Sequence, residues 1–424
     1  MRIRDWDRNL KVRLFGEALM NITFWMFFPF LTIYFAESFG KALAGFLLIF
    51  SQVFSVLASL MGGYFADRFG RKRMMVVAAL GQGVSYIVFA AAVSPWFTSP
   101  ILGFIAFSIV GIFSSFYHPA SQAMIADLVD EKERSNVFAV FYTSINIAVV
   151  IGPILGAIFY VNYRFQLLLA VAIICILLAV LLAKVARETL PARTESNQPK
   201  DKWYSFVRSQ IADYTVIIRD KVFLLYIIAG ILVSQTFMQL DLLLPVYIKD
   251  HVHNQTLFSF RDWSFTVQGE QAFGLILSEN GLLVALFTVV VTRWMTKFRE
   301  RNVFVLASII YAVSMILFSR TELIWGLMIG MAVFTLAELM TAGLAQSFIS
   351  KLAPENMRGQ YFAAAGLRYT VGRTIAPISI PLTVWVGYQW TFIILAALAL
   401  LSALLYNIMF SIYEKQTIMQ KSVS

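Results

Sequence analysis

Seven ionisable side chains lie within long apolar runs of the sequence: Arg13, Glu17, Asp241, Glu279, Glu338, Arg368 and Arg373. Burying such a group in hydrocarbon costs upwards of ~2.5 kcal/mol, so each is a functional candidate. A carboxyl group in those surroundings is neutral only when it holds a proton or a counter-cation. Exchanging one for the other is the chemistry these residue types offer. Glu338, in Phe334-Thr335-Leu336-Ala337-Glu338-Leu339-Met340, lies mid-run and is the deepest acid. Asp241 follows Gln235-Thr236-Phe237-Met238-Gln239-Leu240 and lies nearer one end of its run. Other roles stand beside these. Glu338 has the alternative of a neutral, hydrogen-bonded group or a partner of Arg368, and Asp241 that of helix packing. Arg13 reads as an anchor that snorkels to the membrane surface. Glu17, one helical turn on, is either its ion-pair partner or a proton carrier. Glu279, just before Asn280-Gly281, reads as interfacial.

The elements that hold these groups are membrane spans. The chain has 424 residues, of which 59% are hydrophobic and 14% charged, with a mean hydropathy of +0.74. One soluble core cannot absorb that excess, which excludes a soluble enzyme, a nucleic-acid binder and a disordered chain. A span needs about 20 apolar residues. Twelve such runs are present: 13–37, 42–65, 74–94, 99–124, 136–160, 165–185, 222–248, 272–294, 302–319, 323–349, 359–386 and 389–412. They do not alternate as barrel strands do, so an all-α membrane protein of two six-helix halves is expected. The amino terminus, Met1 to Lys11, is polar and basic, and the run after it is too long for a cleavable leader.

Charge sets the orientation. With the amino terminus cytoplasmic, only Lys41, Arg164, Lys249, Arg261 and Arg320 fall outside and Arg368 and Arg373 within span 11, leaving 27 of the 34 basic residues inside. The positive-inside rule therefore predicts cytoplasmic termini in a multi-pass plasma-membrane protein. The net charge of +10 is topological. Domains are expected at 1–185 and 222–424. Between them, 186–221 forms a charged linker in which Trp203, Phe206, Val207, Ile211 and Tyr214 have the spacing of an interfacial helix. An extracellular insertion, 249–271, carries His251 and His253 and reads as a solvated loop. No metal site or cofactor is expected. Nor is there a G-x-x-x-x-G-K-[ST] loop, so energy must come from an ion gradient.

Between spans 2 and 3 the chain reads Gly63-Tyr64-Phe65-Ala66-Asp67-Arg68-Phe69-Gly70-Arg71-Lys72-Arg73. This segment resembles motif A of the major facilitator superfamily. Pro119-Ala120-Ser121-Gln122-Ala123-Met124-Ile125-Ala126-Asp127 at the end of span 4 is similar to the twelve-helix drug/proton antiporters. So is Gly152-Pro153-Ile154-Leu155-Gly156 in span 5, the core of an antiporter motif. With Asp241 and Glu338, the pattern looks like the LmrP-type multidrug/proton antiporters. The departures are a span 4 with no cation between Ser108 and Pro119, a second-half counterpart of motif A around Arg293 to Arg301 without its Gly/Asp pattern, a degraded second Gly-Pro in Gly372 to Pro377, and Phe141 where that branch has an embedded acid.

The resemblance implies a proton-coupled exporter of lipophilic, often cationic drugs, working by alternating access as a monomer. Glu338, Asp241 and Glu17 would carry protons. Gly63, Asp67, Arg68, Gly70, Arg71 and Asp127 would form a gate in which Arg71 pairs with Asp127 while Asp67 faces the start of span 11. Trp25, Met26, Phe30, Tyr142, Asn146, Phe237, Met238, Gln239 and Glu338 are the candidate substrate contacts. The alternative is an exporter of one dedicated substrate, such as a lipid, metallophore or sugar. A membrane-embedded enzyme has no support, because no nucleophile has a base at sensible spacing.

Overall fold

The computed structural model describes residues 3–189, 220–261, 263–342, 344–353, 361 and 364–423. The interfacial helix expected near 203–214 lies outside these residues. Eleven helices among them are long and apolar enough to cross a membrane. The last, Leu367–Gln416, is broken at Gly387 (φ 78°, ψ 165°) into two spans, which gives the twelve expected from the sequence. Broad apolar faces stay uncovered by protein, as on Phe50, Phe54 and Leu57 in span 2 and Leu286, Val289 and Val290 in span 8. Such surfaces are stable only against lipid.

Two compact units make up the fold: Met1–Phe39 with Phe50–Ser209, and Gly40–Ile49 with Gln210–Ser424. In the first, span 1 (Arg8–Phe39) packs along spans 5 and 6, and span 3 (Arg71–Ala92) along spans 4 and 6. Spans 5 and 6 are two helices within Glu131–Val185, separated at the non-helical Tyr163 (φ −126°, ψ 28°). Span 5 meets span 1 at its glycines. A Cβ at Gly152 would come 2.9 Å from the Trp25 carbonyl carbon, and one at Gly156 would come 2.9 Å from that of Met26. Small residues here let two helix backbones touch.

In the second unit, span 9 (Glu300–Arg320) packs on spans 10 and 12, span 8 (Gly269–Met295) on span 10, and span 7 on spans 11 and 12. The insertion after span 7 is an antiparallel hairpin, Gln255–Phe260 with Trp263–Val267, and not a plain loop. His251 belongs to the last turn of span 7, its ring 4.4 Å from that of Tyr247, whereas His253 is exposed.

Candidate functional site

Spans 7 and 11 are both interrupted, and the acids lie where they break. Span 7 is helical over Lys221–Phe237, tightens to a 3-10 turn at Met238–Leu240 and resumes at Leu243–His251. Pro245 explains the position: it has no N–H for the carbonyl of Asp241, and its ring crowds that carbonyl. Span 11 repeats the pattern, helical over Leu367–Ile375 with a 3-10 turn at Ala376–Ile378. There Pro377 opens the ladder at Arg373.

One side chain ties the two interruptions. Gln239 Nε2 donates to the Gln235 carbonyl at 2.9 Å and to the Ala376 carbonyl of span 11 at 3.3 Å. Its Oε1 accepts from the Ser379 hydroxyl at 2.6 Å. Gln239 and Ser379 are 1% exposed, so these bonds form away from solvent. A side-chain amide buried between two helices must find its partners in this way.

Asp241 and Arg373, each at a break, attract one another, and Asp241 repels Glu338 of span 10. Both acids are half-buried. Asn280 of span 8 donates through Nδ2 to Glu338 Oε2 at 3.0 Å and to Thr335 Oγ1 at 2.9 Å. Arg368 is not the partner of Glu338: its Nη1 donates to the Tyr226 hydroxyl at 2.7 Å and its guanidinium covers that ring. Phe237 stacks on Phe334 with centroids 6.0 Å apart, so an aromatic pair flanks the acids along spans 7 and 10. Glu279 is half-buried, and its Oε2 has no hydrogen-bond partner among the described residues.

The first unit holds a separate charged cluster. Arg13 is 1% exposed and therefore does not snorkel. Its Nε bonds Glu17 Oε1 at 2.9 Å, its Nη2 bonds Ser121, and its guanidinium stands 4.9 Å from the Phe141 ring. Glu17 Oε1 also accepts from Tyr117 at 2.8 Å and Ser121 at 3.2 Å. The cluster thus joins span 1 to span 4. The spacing revealed the Arg13–Glu17 pair, but the face it lies on turns inward.

The motif between spans 2 and 3 is a tight, charged turn. Gly70 takes φ +100°, a conformation side chains rarely adopt, and a Cβ there would lie 2.8 Å from the Glu188 carboxyl carbon. Glu188 Oε1 accepts from the Arg71 and Lys72 amides at 2.8 and 3.3 Å and so caps span 3. Arg71 pairs with both Asp67 (2.7 Å) and Asp127 (3.2 Å). Arg68 turns to the Tyr64 hydroxyl at 2.7 Å, and Gly63 has open space around its Cβ position.

A model of the Major Facilitator Superfamily matches residues 14–265 and 260–421. The chain belongs to that superfamily. Like other members it is a multi-pass transport protein and not an enzyme. A Na(+), Li(+), K(+)/H(+) antiporter of Planococcus maritimus is 59% identical over 423 residues, 99% of each chain. Multidrug resistance protein MdtH of Escherichia coli (strain SE11) is 23% identical over 384 residues, 89% of this chain and 85% of MdtH. A crystal structure of a POT family transporter in complex with a thioalcohol-conjugated peptide superposes with a TM-score of 0.76, covering 96% of each chain at 18% identity. That likeness concerns the superfamily fold alone.

The residues expected to contact substrate are divided between the two units. Gln239, Phe237 and Met238 lie at the span 7 break, in the second unit with Asp241 and Glu338. Phe30 is fully buried, stacked on Tyr160 at 4.9 Å, and the half-buried Trp25 and Met26 sit on the span 5 glycines. Asn146 is half-buried in span 5, and the side chain of Tyr142 lies outside the described residues. Sequence reasoning missed Asn280, Thr335, Ser379 and Glu188. Only Glu188, an acid just after a basic turn partner, belongs to a residue class that would have drawn notice.

Proposed function

We propose that the protein exchanges protons for monovalent metal cations, with Asp241 and Glu338 as the groups that carry one or the other. The observation that carries this reading is the placement of two acids beside a paired break in spans 7 and 11. Discontinuous helices supply unpaired carbonyls and helix ends, the features that serve ion sites in other transporters. The identity shared with an antiporter of sodium, lithium and potassium along the whole chain supports small hard cations as the cargo. A proton moving inward supplies about 2.3 kcal/mol per 100 mV, and about 1.4 kcal/mol per pH unit. In the working orientation both termini are cytoplasmic and the cargo leaves the cell.

Lipophilic cations are a second reading, favoured by the Phe237–Phe334 stack next to Glu338 and by the more distant likeness to MdtH. The two readings predict different responses. In proteoliposomes with an internal pH probe and an imposed pH gradient, sodium, lithium or potassium chloride should each collapse the gradient, while choline chloride should not. Gradient collapse by lipophilic dyes alone, with none by alkali cations, would overturn the first reading in favour of the second.

The gate follows the same logic. Arg71 holds Asp67 and Asp127, so the turn joins spans 2 and 4 only while Asp127 keeps its charge. Exposed pairs contribute about 0–1 kcal/mol, and water-poor ones more. Asp127→Asn should slow exchange several-fold while leaving cation affinity nearly unchanged, because the substitution shifts a conformational equilibrium and not the site. Cysteines placed near the turn should then change in reactivity. Unchanged reactivity with unchanged exchange would remove the gate from the mechanism.

A further inference from the structure

Asn280 and Thr335 surround Glu338 in a way that bears on what the site binds. Thr335 is 1% exposed and Asn280 4%. The single hydroxyl proton of Thr335 is committed to the Met331 carbonyl at 2.8 Å. Its oxygen can then only accept from Asn280, so the amide must present its nitrogen. The same nitrogen meets the Glu338 carboxylate. Two oxygens from span 10 thus converge on one amide donor of span 8. A donor chelated by a carboxylate and a hydroxyl stands where a small hard cation would stand, since such ions take the same oxygen ligands.

We propose that Glu338, Thr335 and Asn280 form the alkali-cation site, with the Asn280 amide acting as its internal stand-in for the ion. This rests on the cation/proton exchange proposed above. In the cation-free state the amide nitrogen fills the position and satisfies both oxygens. On loading, the ion takes the place of the nitrogen, and the amide draws back and turns Oδ1 toward it as a third oxygen ligand. The site then has one negative charge, which matches a monovalent ion and leaves a divalent ion under-neutralised. When Glu338 is protonated, a cation loses its counter-charge and the nitrogen returns. The exchange of partners therefore keeps a donor or an ion in front of the buried hydroxyl and the half-buried carboxylate at each step. The two neutral ligands set the affinity and selectivity, while Glu338 sets the coupling.

Proton release on adding sodium chloride to purified protein in weakly buffered detergent, followed with a pH dye, tests this. Wild-type protein should release protons saturably, and lithium should compete. Thr335→Val, which keeps the shape and removes the oxygen, should raise the half-saturating sodium concentration about tenfold and leave maximal release intact. Thr335→Ser should restore wild-type behaviour and guards against a folding effect. Asn280→Asp gives the site a second charge and should create proton release by calcium chloride that wild type lacks. If no alkali cation releases protons from wild-type protein, the proposed exchange itself fails. If wild type responds, but Thr335→Val and Asn280→Asp keep its sodium dependence and ion preference, the cation binds elsewhere and this site is refuted.

Discussion

Replacing Glu338 with glutamine is expected to abolish exchange, bringing cation-stimulated proton flux in proteoliposomes down to the level of protein-free vesicles. Glutamine keeps the length of the side chain and an oxygen that can accept from Asn280 Nδ2, now 3.0 Å from the carboxylate. What it cannot do is ionise, so it imitates a permanently protonated site. Drug and metal-cation cargo alike would lose the counter-charge that draws them in. Asp241→Asn should be milder. It removes the negative charge that attracts Arg373 and should slow flux on the order of tenfold, ~1.4 kcal/mol in the barrier. Near wild-type pumping by Glu338→Gln would make that acid structural and move the coupling to another group.

Glu17→Gln should have the largest effect on stability. Arg13 is almost fully enclosed, and Glu17 Oε1 collects three donors, from Arg13, Tyr117 and Ser121. Removing one member of a buried pair leaves the other charge uncompensated, at a cost of about 3–5 kcal/mol. At roughly 2 °C per kcal/mol in a chain of this size, the melting temperature in detergent should fall by about 6–10 °C. The double variant Arg13→Met, Glu17→Leu should recover most of that loss, because an apolar pair needs no counter-charge. Its transport settles the role of Glu17. If Glu17 carries protons, the double variant melts normally and does not exchange; if the pair is structural, both stability and exchange return.

The twelve spans were legible because apolar length is a local property, and crossing a bilayer requires little else. The helix breaks were partly legible. Pro245 and Pro377 announce that the carbonyls of Asp241 and Arg373 will be left over, and both interruptions fall there. That Gln239 would bridge them depends on how two helices are rotated, which no spacing within one helix records. Asn280 was hidden for the same reason. In the sequence it merely precedes Gly281, and only the packing of span 8 on span 10 brings it to Glu338. Arg13 misled through its position near a helix end, where snorkelling is the usual solution; the sequence does not say which face is enclosed. Motif A was readable as a charged turn, but its cap, Glu188, comes from 117 residues away from Arg71.

That distant cap bears on how the protein is made. Residues just past span 6 stitch the amino-terminal unit together: Glu188 closes the start of span 3, while Arg187 exchanges two hydrogen bonds with Asn9 (2.9 and 3.0 Å) and pairs with Asp7 at 2.6 Å. Helices enter the membrane in the order of synthesis, so spans 1 to 3 are inserted long before their fastenings leave the ribosome. Until residue 188 emerges, the first helix has a loose beginning and the third has bare amides. These ties can therefore form only once Arg187 and Glu188 have left the ribosome, and a chain ending at Val185 would keep its six spans but none of the ties.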